Sequence, residues 1–110
     1  MAQAVAAIKL KPSWERIEFW ADPPPSYSLT LHYKSEAAVP TQSAAEADTK
    51  GIARAVLVEL LREGKPPTEE QIWVNVFAWQ AVRGETGKTP IRWLGVTSYH
   101  YWSDRLEFSP

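Results

Sequence analysis

The stretch SAAEADTKGIARAVLVELLREGKPP, residues 43–67, decides the fold. Ser43-Ala44-Ala45-Glu46 has the form of a capping box, in which the serine hydroxyl takes an orphan backbone N–H and the glutamate reaches back. A helix is predicted over residues 44–63. Ile52, Val56, Leu57, Leu60 and Leu61 fall on one stripe at helical spacing, and Asp48, Arg54, Glu59 and Arg62 populate the polar side. Gly64 supplies a left-handed stop, and Pro66-Pro67 block continuation. Gly51 weakens the helix interior by about 1 kcal/mol relative to alanine, and it is expected to permit close approach to a sheet.

Downstream, residues 71–82 carry Ile, Trp, Val, Val, Phe and Trp, types that favour a strand. On that reading Ile72, Val74 and Val76 face one way, and Trp73, Phe77 and Trp79 the other. With both faces covered, the strand is expected to be central. Thr68-Glu69-Glu70-Gln71 offers a competing helix cap, so strand and helix both stay open here. Residues 83–90 hold two glycines and read as a hairpin loop. Residues 91–98 form a further strand, and 99–108 either continue it or make a fifth.

Upstream, residues 14–20 read as a strand with Ile17 and Phe19 on one face and Trp14, Arg16, Glu18 and Trp20 on the other. Asp22-Pro23-Pro24-Pro25-Ser26 breaks it, because prolines cannot donate to a ladder. Residues 27–34 alternate cleanly, Leu29, Leu31 and Tyr33 inward, Ser28, Thr30 and His32 outward. Residues 1–12 are expected to be a flexible arm or an edge strand. The sum is a single α+β domain over residues 1–110 of ββαββ type, one main helix packed on a mostly antiparallel sheet of four to five strands.

Composition narrows the function classes. The chain has 110 residues and no cysteine, which excludes disulfides, thiolate metal sites and a cysteine nucleophile. Its 12 basic and 13 acidic residues lack the cationic excess of a protein that lives on phosphate backbones. Apolar runs fall far short of the ~20 residues that span a bilayer. Lys9 and Lys11 follow the apolar opening instead of preceding it, so no signal peptide is expected and a cytoplasmic location is the default.

The tempting motifs fail on spacing. Gly84-Glu85-Thr86-Gly87-Lys88-Thr89 resembles part of a phosphate-binding loop, yet Val82 stands where its first glycine belongs and a strand-like run follows. It reads as a polar hairpin tip, and no cofactor is expected. Pro24-Pro25-Ser26-Tyr27 matches a polyproline ligand pattern, but it lies between two strands. The two histidines, His32 and His100, show no spacing that would bring them to one metal, so none is expected. The carboxylates read as solvated faces, and the balance leans against an enzyme.

Six tryptophans remain: Trp14, Trp20, Trp73, Trp79, Trp93 and Trp102. Each aromatic side chain hides about 150–250 Å² when buried, more in total than one small core holds easily, so several are expected at the surface. Trp14 and Trp20 share a predicted strand face with Arg16. Trp93, Tyr99, Tyr101 and Trp102 interleave with Arg92 and Arg105. Rings beside guanidinium groups anchor protein interfaces. The expected function is therefore a non-enzymatic binding or regulatory module working through these nine residues on a protein partner, including a second copy of itself. A weak single-stranded nucleic-acid binder is the second reading, and a small enzyme or ligand-binding protein with a pocket between helix and sheet is the third.

Overall fold

The computed structural model describes residues 1–20, 23, 25–82 and 90–110. Along the chain run α1 (Ala2–Ala6), β1 (Trp14–Trp20), β2 (Ser26–Tyr33), α2 (Gln42–Arg62), β3 (Trp73–Ala81), β4 (Ile91–His100) and β5 (Arg105–Ser109). The strands form one sheet in the order β1-β2-β3-β4-β5. β2 and β3 are parallel and the other pairs antiparallel. The α+β class and single main helix are as expected. α1 precedes the expected elements, and β5 makes the sheet five-stranded, within the four to five strands expected. The phosphate-loop-like run 84–89 lies outside the described residues.

α2 starts two residues earlier than its sequence suggests. Thr41, in extended conformation after Pro40, is the N-cap, and its Oγ1 accepts from the Ala44 N–H at 3.1 Å. Glu46 pairs instead with Lys50 one turn on, at 2.7 Å. The far end follows expectation. The Lys65 N–H reaches the Leu60 carbonyl and the Gly64 N–H reaches that of Leu61, with Gly64 at φ +78°.

α2 crosses over the sheet to join the parallel strands β2 and β3, as a parallel pair requires. It buries Ile52, Ala53, Val56 and Leu60 against Leu29, Leu31, Val74, Val76 and Ala78. Full burial of each larger aliphatic stabilises by about 1.5–3 kcal/mol. Leu61, expected on this stripe, is exposed, and Gly51 faces solvent with nothing within 4 Å of a notional Cβ.

Asp48 reverses its expected role. Instead of decorating the polar side it is buried, accepting from Lys11 Nζ (2.7 Å), Tyr33 Oη (2.7 Å) and Trp14 Nε1 (3.2 Å). Burial and this carboxylate together raise the Tyr33 phenol far above its usual range. Within residues 1–12, expected as a flexible arm or an edge strand, α1 buries Val5 in the core, and the Met1 ammonium meets Glu63 at 3.3 Å. A second buried polar pair, Thr49 Oγ1 to Thr97 Oγ1 at 2.6 Å, ties α2 to β4.

Candidate binding face

α2 covers one side of the sheet, and among the described residues no helix or strand covers the other. Strand alternation decides what that bare side carries. β3 sends Val74, Val76 and Ala78 under the helix and Trp73, Phe77 and Trp79 to the bare side, as the sequence suggested. β2 contributes Ser28, Thr30 and His32, and β1 contributes Arg16, Glu18 and Trp20. In β4 a bulge sets Trp79 opposite Trp93 and Ala78 opposite Gly95.

At one end of this side is a groove of about 480 Å³. Phe77, Trp79, Ile91 and Trp93 form an apolar bank on β3 and β4, and Glu18, Ser28, Thr30 and His32 form a polar bank on β1 and β2. Trp79 and Trp93 meet edge to face, centroids 4.9 Å apart. Trp20 leans over the polar bank and donates from Nε1 to Thr30 Oγ1 at 3.2 Å. Glu18 Oε1 takes Arg16 Nη2 at 2.7 Å and Nε at 3.2 Å. The guanidinium bond holds the Glu18 carboxyl below its usual range. His32 Nε2 approaches the same oxygen at 2.9 Å but makes no aligned hydrogen bond. Burial, helped by the Arg16 charge, lowers the His32 imidazole despite Glu18.

At the opposite end is an aromatic ridge. Trp102, in the β4–β5 turn, stacks on His100 with centroids 4.7 Å apart and packs edge-on against Trp73 and Tyr101. The turn is held by Tyr99 Oη donating to Asp104 Oδ1 at 2.6 Å, with Asp104 at φ +52°. Burial and that carboxylate push the Tyr99 phenol up. Between groove and ridge runs a polar strip in which Ser98 Oγ donates to Asn75 Oδ1 at 2.7 Å.

Four of the six indoles keep a large exposed fraction: Trp20 55 %, Trp73 39 %, Trp93 42 % and Trp102 60 %. Of the nine residues singled out from sequence, Arg16, Trp20, Trp93 and Trp102 reach this face, and the half-buried Tyr101 supports it. The other four do not. Trp14 is displaced to the helix side by a bulge in β1: Trp14 pairs with Tyr33 while Arg16 pairs with the adjacent His32, so the alternation skips a step. Tyr99 is buried under α2, because it stands one step out of phase with His100. Arg92 shares the parity of buried Gln80 and donates to its Oε1 at 3.2 Å. Arg105 lines a separate polar cleft of about 330 Å³ at the helix–sheet margin, with Lys50, Arg54 and Asp104.

Sequence reasoning passed over Phe77, Trp79, Ile91 and Trp73 as site residues. Their signal was present: on a strand aromatic on one side and small-aliphatic on the other, the helix takes the aliphatic side. His32 and His100 lie toward opposite ends of the face and do not meet, and the described residues hold no group of three or more carboxylates and histidines placed for a metal ion. The arrangement can stack rings, cover apolar surface and offer a few neutral hydrogen-bonding groups. No family model, curated protein or solved structure matches the chain.

Proposed function

We propose that the protein is a non-enzymatic binding module that holds a protein partner on the bare face of its sheet. One observation carries the reading: four partly to largely exposed indoles lie on the side of the sheet that α2, the only long helix among the described residues, leaves uncovered. Large exposed apolar side chains gathered on one side of a sheet suit interaction, and tryptophan is over-represented among the residues that dominate binding energy. Beside the groove the Arg16 guanidinium is taken up by Glu18 within the chain, which suits this part of the face to a polypeptide better than to a polyanion.

The test is site-directed photo-crosslinking in cells. A photoreactive side chain at Ile91 or Trp20 should capture protein, whereas one at Val58, exposed on α2, should not. Capture only from Val58, or from none of the three, overturns the proposal.

A further inference from the structure

Resting on that reading, we infer that the partner is a second copy of this chain, docked face to face so that the Trp73–Trp102 ridge of each copy enters the groove of the other. A two-fold interface must be self-complementary: whatever protrudes on one half must meet a recess on the same surface of its twin. The bare face has both parts. The groove lies at the Trp79–Trp93 end and the ridge at the Trp73–His100 end of the same two strands. Trp79 lies six positions after Trp73, about 20 Å along a strand. A two-fold axis in the plane of the contact, over the Asn75–Ser98 strip and oblique to the strands, exchanges the two ends and carries the β3–β4 ridge of each copy toward the recess between the β1–β2 and β3–β4 banks of the other. It sets the ridge of each copy over the groove of the other and leaves the polar strips facing one another at the centre.

Size and charge agree with this partner. Strands at about 4.8 Å spacing and about eight residues long give a face of roughly 600 Å² in projection, and side-chain relief brings this near the ~800 Å² per partner of a standard interface. Rotation about an axis tilted in this way lets the strands of the two sheets cross at about 30°, as in face-packed sheets about 10 Å apart. Glu18 is paired with Arg16 within its own chain, so this carboxylate adds no net repulsion where two identical faces meet.

Mixing two variants of the full chain tests the geometry. Trp102→Arg alters the ridge and Ile91→Glu the groove; both residues are well exposed, so each variant should keep the wild-type circular dichroism spectrum and unfolding midpoint of a monomer. In sedimentation equilibrium up to roughly 0.1 mM the wild type should dimerise, and each variant alone should associate at least tenfold more weakly. An equimolar mixture should regain dimers, since the arginine of one ridge then meets the glutamate of the other groove while the second contact is unaltered. A monomeric wild type, variants that dimerise normally, or a mixture that stays monomeric overturns the inference. Crosslinks from Ile91 to a different protein would leave the binding reading standing and remove the second copy.

Discussion

Under α2, Val74, Val76 and Ala78 of β3 are fully buried, while Trp73, Phe77 and Trp79 of the same strand stay partly exposed on the other side. The covered side is small-aliphatic and contains polar groups that satisfy one another internally: Asp48 with Tyr33 and Trp14, and Thr49 with Thr97. The bare side is aromatic, and its polar groups meet at the surface. The same alternation thus serves two ends. One side supplies the free energy that holds the chain folded, and the other supplies contact area that folding leaves unused.

Substitutions should separate the sides, and the largest loss is expected at Asp48. Asp48→Ala leaves the Tyr33 hydroxyl and the Trp14 indole N–H buried without an acceptor and should cost about 3–5 kcal/mol in urea unfolding. A loss below about 1 kcal/mol, typical of an exposed substitution, would erase the distinction between the sides. Gly95→Ala comes next. Gly95 holds φ +133° at the β4 bulge, and a Cβ there would collide with the Phe108 ring and lie 2.8 Å from the Ser109 carbonyl oxygen. About 2–3 kcal/mol should be lost, with β5 the first element to lose amide protection.

Smaller effects sharpen the contrast. Thr41→Ala should cost about 1 kcal/mol in chemical denaturation. Ser43→Ala should cost under about 0.5 kcal/mol, because the hydroxyl that caps α2 is on Thr41. The smallest effect belongs to the bare face and depends on pH. His32 is held below its usual 6.5, so as pH falls through and below that value the unfolded chain takes up the proton more readily and stability declines. Glu18 acts in a lower window: its lowered pKa adds stability above its usual 4.5, which is lost as pH falls through the folded-state value. His32→Gln should flatten the first decline in a pH series of denaturation midpoints and leave the second. An unchanged first decline would show that His32 is not its source.

The long periodicities were legible in the sequence and the single-residue departures were not. Helix α2 repeats one pattern over many residues, the residue types of β3 favoured a strand while a helix stayed open, and the excess of indoles over core space followed from size alone. Trp14 was misplaced because a bulge depends on what the neighbouring strand pairs with, and nothing local to Trp14-Glu15-Arg16 records that. Asp48 looked solvated because its partners Lys11, Trp14 and Tyr33 come from distant parts of the chain. Tyr99 was grouped with Tyr101 and Trp102 by closeness in sequence, although neighbours in a strand face opposite ways. The groove was missed for a related reason: its two banks come from strand pairs that only the parallel β2–β3 junction brings side by side.

That junction also bears on how quickly the chain reaches its native state. β1 with β2, and β3 with β4, are neighbours in sequence and can pair after short closures. Ser26 meets Trp73 only after the whole intervening segment, α2 included, has been drawn into a loop. Non-local pairing of this sort is slow to nucleate, so the rate-limiting barrier should lie at the closing of the β2–α2–β3 unit. Truncations at Leu31 or Val76 should then slow refolding, whereas one at Leu106 in β5 should mainly hasten unfolding. Equal effects on both rates at all three positions would place the barrier elsewhere.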